Sequence, residues 1–204
     1  MFDPMQQVER NRLTQEILRD GERFSLCTLT AASYIDPAVG RHWEIVRSRL
    51  ESGCAFRLLI LSPFREEKRL RDRRNESGDV VDSKLRLEQI ARIAAEYENF
   101  SVKVSYSNIY AAVFFSERAM TYDPYHLGKL TTRIENRFIC LAFDKTDDTA
   151  DPDGAYFRSL TSHFEFLWGE AQPLDQFVRA NETAVRQYVG TRAKNEIDRV
   201  LGSD

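Results

Sequence analysis

The chain has 204 residues, 42% of them hydrophobic and 30% charged, with a formal net charge of −3. A chain of this length buries one good core, and its slight acidity argues against a dedicated non-specific nucleic-acid binder, which carries a positive excess. No apolar run approaches the roughly 20 residues that a membrane-spanning helix needs. Cys27, Cys54 and Cys140 lie in or beside apolar segments, show no CxxC spacing and are odd in number. They read as reduced thiols, so neither a disulfide framework nor a zinc site is expected, and the expected location is cytoplasmic.

A first helix is expected from about Pro4 to Arg19, with Val8, Leu13, Ile17 and Leu18 as a sparse apolar set and Gly21 ending it. It is polar enough to lie on the outside or to serve a partner contact. Residues 24–32 (FSLCTLTAA) read as a buried strand. Asp36 then offers an N-cap ahead of Pro37, and Val39, Trp43, Val46 and Leu50 form one apolar helical stripe, closed by Gly53. Residues 55–61 (AFRLLIL) give a second buried strand. Strand, helix and strand within about 40 residues make a βαβ crossover, which predicts a parallel pair.

Residues 64–76 interleave Arg65, Lys68, Arg69, Arg71, Arg73 and Arg74 with Glu66, Glu67 and Asp72. This reads as a solvated helix laced with opposite charges; the other reading is an anion-binding patch. An amphipathic helix follows from Asp82 to about Tyr97, and then an alternating strand, Phe100 to Tyr106, toward the sheet edge.

The rest is organised around Asn108 to Lys129 (NIYAAVFFSERAMTYDPYHLGK). A strand from Ile109 to Phe115, a turn at Ser116, Glu117 and Arg118, and a strand from Ala119 to Tyr122 lead into a loop with Asp123, Tyr125, His126 and Lys129. Adjacent buried strands that end in such a loop are where an α/β sheet presents a ligand site. Residues 137–143 (RFICLAF) form a further strand, and the acidic stretch 144–154 lacks the ligand order of an EF-hand, so no metal is expected. Residues 155–168 are an aromatic-rich helix with Tyr156, Leu160, Phe164 and Leu167 in one stripe. Pro173 opens a long last helix to about Leu201, whose apolar face exceeds what one sheet layer needs and suggests a dimer contact or a lever to another protein.

The expected fold class is α/β, a mixed β-sheet flanked by helices on both faces, with terminal helical extensions. Residues 1–21 would form the N-terminal extension, 22–172 the α/β domain and 173–204 the C-terminal helix. This element order, with its two halves flanking the hairpin, resembles one phospholipase D-like domain over residues 22–172. The family's signature is HxKxxxxD on a strand. Its His attacks phosphorus, its Lys holds phosphate oxygens, and a second His from another copy of the motif protonates the leaving group.

Laid on this strand, the His position falls on Tyr110, the Lys position on Ala112 and the Asp position on Glu117. Alanine cannot hold a phosphate, and a tyrosine phenol is a poor nucleophile at neutral pH. The resemblance therefore implies a catalytically degenerate module that binds a ligand or partner in a regulatory or sensory role. It also implies a homodimer, as single-copy members often dimerise. The candidate ligand-binding residues are Tyr110, Glu117, Arg118, Tyr125, His126 and Lys129. Tyr110, Tyr122 and Tyr125 would stack on a ring, and Lys129 or Arg118 would meet a phosphate, so a phosphate-containing small molecule or nucleotide is the expected ligand. Nucleic acid is not favoured, and no cofactor is expected.

The alternative is a phosphodiesterase or nuclease with His126, Lys129 and Glu117 as a non-standard catalytic set, the His as general base and the Lys as anion clamp. A third reading is a structural dimerisation domain. His42, beside Trp43, and His163 read as packed or surface histidines. The chain has no Walker loop, GxGxxG or GxSxG motif.

Overall fold

The structure is a computed structural model; it describes residues 5–38, 40–74, 80–125, 141–144, 154–189, 195, 197 and 198. Its sheet has the order β6-β5-β4-β1-β2-β3-β7. The strands are β1 (Arg23–Thr28), β2 (Ala55–Leu61), β3 (Phe100–Ser105), β4 (Ala111–Phe115), β5 (Ala119–Pro124), β6 (Leu141–Asp144) and β7 (Gln172–Pro173). β1, β2 and β3 run parallel, while β4, β5 and β6 extend the sheet antiparallel from β1. The expected βαβ crossover and the expected hairpin are both present. β1 and β2 are nearly continuous in apolar residues because central parallel strands are covered on both faces.

Alternation along the strands divides the core in two. One face sends Phe24, Leu26, Phe56, Leu58, Val102, Val104 and Phe114 toward α1 (Met5–Asp20), α3 (Trp43–Glu51), α5 (Val80–Glu96), α7 (Leu174–Ala180) and α8 (Glu182–Val189). The opposite face sends Cys27, Leu59, Val113, Phe115 and Met120 toward Phe157, Phe164 and Leu167 of α6 (Ala155–Glu170). The fold is thus α/β, a mixed sheet with helices on both faces. Arg57 projects on the α6 side, where it pairs with Glu165 at 2.6 Å and lies 5.0 Å over the Phe164 ring.

Several elements differ from expectation. α1 is built into the core by its last turns, where Ile17 and Leu18 are buried. The helix expected from Asp36 starts instead at Trp43, after a short α2 (Ala32–Ile35). The Asp36 carboxylate is committed elsewhere: Oδ1 accepts the Ala38 N–H at 2.8 Å, an Asx turn, and Oδ2 pairs with Arg86. Val39, the first member of the expected stripe, lies outside the described residues, but Trp43, Val46 and Leu50 are buried as expected and Gly53 closes the helix at φ +85°.

The expected charge-laden helix is α4 (Glu66–Arg74), in which Lys68 is buried rather than solvated. On α6 the buried residue is Phe157, and Tyr156 is exposed, because Phe157 shares the inward face with Phe164 and Leu167.

The single helix expected from Pro173 is divided into α7 and α8 at Asn181. Its Nδ2 donates to the Phe177 carbonyl at 2.9 Å and its own carbonyl accepts the Val185 N–H at 2.8 Å, so one residue ends the first helix and begins the second. Leu174, Phe177, Val178, Val185 and Ile197 are buried in the core of their own chain. They are not a free apolar face for a second copy.

Candidate functional site

β1 lies where the sheet changes from parallel to antiparallel pairing, with β2 on one side and β4 on the other. Parallel α/β sheets place ligands beyond the carboxyl ends of their strands. Here a cavity of ≈ 240 Å³ opens between that end of β1, the β4–β5 hairpin, α1 and the α2 turn.

The hairpin supplies one wall through alternation. Ala112 and Phe114 of β4 pair with Asp123 and Thr121 of β5, and all four line the cavity. Tyr125, just past β5, closes the sheet end of the site. Its N–H donates to the Tyr110 carbonyl at 2.8 Å, and its hydroxyl lies 2.8 Å from Thr28 Oγ1 and accepts the Leu29 N–H at 3.1 Å. α1 forms the roof, with Arg10 donating to Asp123 at 2.6 Å and Thr14 Oγ1 donating to the Arg10 carbonyl at 3.0 Å.

The third wall is the turn after β1. Ala31, buried and lining the cavity, has φ 56°, a left-handed backbone that costs a non-glycine residue about 1–2 kcal/mol. Strain of this kind persists where the surrounding structure fixes it, and it clusters at functional sites. The turn carries the chain to His42, whose N–H donates to the Ser33 carbonyl at 2.9 Å and whose ring packs 5.1 Å from that of Tyr34.

His42 is 3% exposed, lines the cavity and has a buried Nδ1 with no hydrogen-bond partner among the described residues. Burial, reinforced by the positive charges of Arg10 and Arg41, pushes its pKa down to about 4, so the ring is neutral at physiological pH. Burial also raises the pKa of Asp123 more than the charge and hydrogen bond of Arg10 lower it. The wall therefore holds one paired cation and anion and a neutral imidazole among hydroxyls.

The structure brings together two of the residues expected at the site and separates two others. Tyr110 and Tyr125 meet at the open end of the hairpin, but Tyr110 itself is 74% exposed and Tyr125 faces the cavity. Glu117 and Arg118 lie at the turn, separated from Tyr125 by the six residues of β5, about 20 Å of strand. The Glu117 carboxylate accepts the N–H groups of Glu22 and Arg23 at 3.1 and 3.3 Å, which is a structural task. Arg118 is exposed, its N–H donating to Ser116 Oγ at 3.2 Å. His126 and Lys129 lie outside the described residues, as does the acidic stretch 145–153.

Sequence reasoning missed Arg10, Thr14 and His42 as members of the site. Nothing local marks them, because they converge from elements about 70 to 110 residues from the hairpin in sequence; only the histidine's residue type could have signalled it. Among the described residues no three His, Cys, Asp or Glu side chains are grouped to hold a metal ion, and no helix is long and apolar enough to cross a membrane.

No protein-family model matches the sequence, and no curated protein matches it. Two solved structures superpose on the chain at low identity. A phosphatidylserine synthase of Haemophilus influenzae Rd KW20 superposes with a TM-score of 0.47 at 12% identity, covering 96% of this chain and 44% of that one. TrmBL2, an archaeal chromatin protein that binds DNA, superposes with a TM-score of 0.43 at 10% identity, covering 79% of this chain and 49% of that one. The chain thus spans about half the length of each.

Proposed function

We propose that the chain is a phospholipase D-like module without phosphodiester turnover, which binds a small molecule in the cavity under α1 and serves a regulatory or sensory role. One observation carries this reading. At the position where the family's strand presents its phosphate-holding lysine, this chain places Ala112, and Ala112 is a wall of the cavity. The lost lysine side chain leaves room where the family has catalytic machinery. Tyr110, at the nucleophile's position, points into solvent rather than toward a base. The strained Ala31 backbone and the position beyond the carboxyl end of β1 support the same place as a ligand site.

The test is a thermal-shift screen of small metabolites on the wild type and on Ala112→Leu, which fills the cavity from a wall residue. Compounds that stabilise the wild type and lose their effect in the variant support the reading. Compounds that stabilise both equally place binding elsewhere.

A further inference from the structure

Two side chains of opposite charge line the cavity, Arg10 from α1 and Asp123 from β5, and neither is closed off: 27% and 29% of their side-chain surfaces stay open. Their contact uses one nitrogen and one oxygen, Nη1 and Oδ2 at 2.6 Å. Nε and Nη2 of Arg10 and Oδ1 of Asp123 make no hydrogen bond among the described residues, which leaves them for a further partner. Burial also raises the pKa of Asp123 more than the charge and hydrogen bond of Arg10 lower it. The carboxylate is therefore undercompensated, and a second positive group beside it would supply what Arg10 does not.

A ligand with a single charge fits this wall badly. An anion drawn to Arg10 meets the Asp123 carboxylate beside it, and an amine drawn to Asp123 meets the guanidinium; in a partly desolvated site such like-charge contacts are costly. A ligand with both charges on neighbouring atoms meets each residue with the complementary sign, through charge-assisted hydrogen bonds. A pair this exposed is weakly held and gives way to such a ligand.

The volume of ≈ 240 Å³ is room for about eight waters at roughly 30 Å³ each, and it falls below the roughly 300–1,000 Å³ of sites for drug-sized ligands. Ala31, Ala32, Ser33 and Ala112 make part of the lining short and uncharged.

We infer that the cavity takes a free α-amino acid with a short uncharged side chain, its carboxylate on the Arg10 guanidinium and its ammonium on the Asp123 carboxylate. The inference rests on the cavity being the ligand site. It departs from the phosphate-bearing ligand that the loop residues suggest in the sequence, because Arg118 is far from the cavity and the cation that does line it has a carboxylate beside it.

The test uses the full chain and measures Tm with glycine, L-alanine, L-serine, L-threonine and L-valine, with inorganic phosphate and adenosine as other classes. Hydrolysis of bis(p-nitrophenyl) phosphate is followed on the same preparation. At about 100 times its Kd, at least one amino acid is expected to raise Tm by roughly 5 °C or more. Its N-acetyl form, which lacks the ammonium, and its amide, which lacks the carboxylate, should each bind at least about ten-fold more weakly to the wild type. The amino acid itself should bind about ten-fold more weakly to Arg10→Met, to Asp123→Asn and to Ala112→Leu.

Absence of any amino-acid effect, a derivative that binds as tightly as its parent, or amino-acid binding unchanged in Ala112→Leu would each overturn the inference. The derivatives are compared on the wild type, so this arm does not depend on how a variant folds. Stabilisation by phosphate or adenosine that is lost in Ala112→Leu, without any amino-acid effect, overturns the amino-acid class and supports the cavity as the site. Turnover of the diester alongside amino-acid binding overturns the non-catalytic reading and supports the ligand class.

Discussion

Arg10 on the first helix reaches Asp123 on β5 at 2.6 Å, joining residues 113 positions apart and fastening the roof of the cavity to its wall. Both side chains keep part of their surface in water, at 27% and 29% exposure, so the pair is worth at most about 1 kcal/mol. Its pH dependence has a definite sign. Burial raises the folded-state pKa of Asp123 above its ordinary value, so this group's contribution is greatest in acid and is lost as pH rises through the raised value. Urea melts should show the wild type losing stability relative to Asp123→Asn as pH rises from about 3 to about 6. A relative gain over that range would mean that Arg10 dominates the site.

His42 has the opposite sign. Its pKa is pushed down from 6.5 to about 4, so the neutral ring contributes stability that is complete above the unfolded value and is lost as pH falls through the folded one. The wild type should lose up to about 3 kcal/mol between these limits from this group. His42→Phe, which keeps the ring and removes the titration, should show a flatter acid limb in the same melts.

Asp36 and Arg86 form an ion pair whose side chains are only 7% and 9% exposed, with Arg86 also donating to Gln89 Oε1 at 2.7 Å. Asp36→Ala strands a buried guanidinium and removes the acceptor for the Ala38 N–H, so a loss of about 3–5 kcal/mol is expected in denaturant melts. The double variant Asp36→Leu, Arg86→Met should recover much of it, since the charge left behind, rather than the pair, sets the cost.

Glu117 holds the backbone N–H groups of Glu22 and Arg23, and its measurable effect should be on stability. Desolvation pushes its pKa up, but hydrogen bonds from its own backbone and from Glu22 and Arg23, with the charge of Arg23, outweigh it and the net direction is down. Its contribution is present above the ordinary carboxylate value and is lost as pH falls through the lowered one. Glu117→Gln should cost less than about 1 kcal/mol at neutral pH, given its partial exposure, and leave ligand-induced stabilisation unchanged. Loss of ligand binding in this variant would bring Glu117 into the site.

The elements legible in the sequence are those whose pattern is local. The β4–β5 hairpin, the β1–β2 crossover and the Trp43, Val46, Leu50 stripe follow from alternation, helical spacing and glycine, and all three are present. The break at Asn181 was not legible, because neither proline nor glycine marks it. It depends on a side chain that bonds both the Phe177 carbonyl and the Tyr106 hydroxyl, 75 residues away. Asp36 followed by Pro37 matches a helix N-cap in sequence, yet the tertiary partner Arg86 takes the carboxylate.

Of the cavity, the sequence marks only the hairpin wall. The cavity lies at the hairpin's open end, but a strand pair seen alone does not tell which end a turn residue such as Glu117 occupies relative to it. The roof and the back wall come from α1 and the α2 turn, which meet the hairpin only in the folded chain.

The most direct test of the account is hydrolysis of bis(p-nitrophenyl) phosphate by the purified full chain at neutral pH, with His126→Ala in parallel. The account predicts no turnover above buffer in either protein. Turnover by the wild type that is lost in His126→Ala would contradict it and make the chain a phosphodiesterase that uses His126.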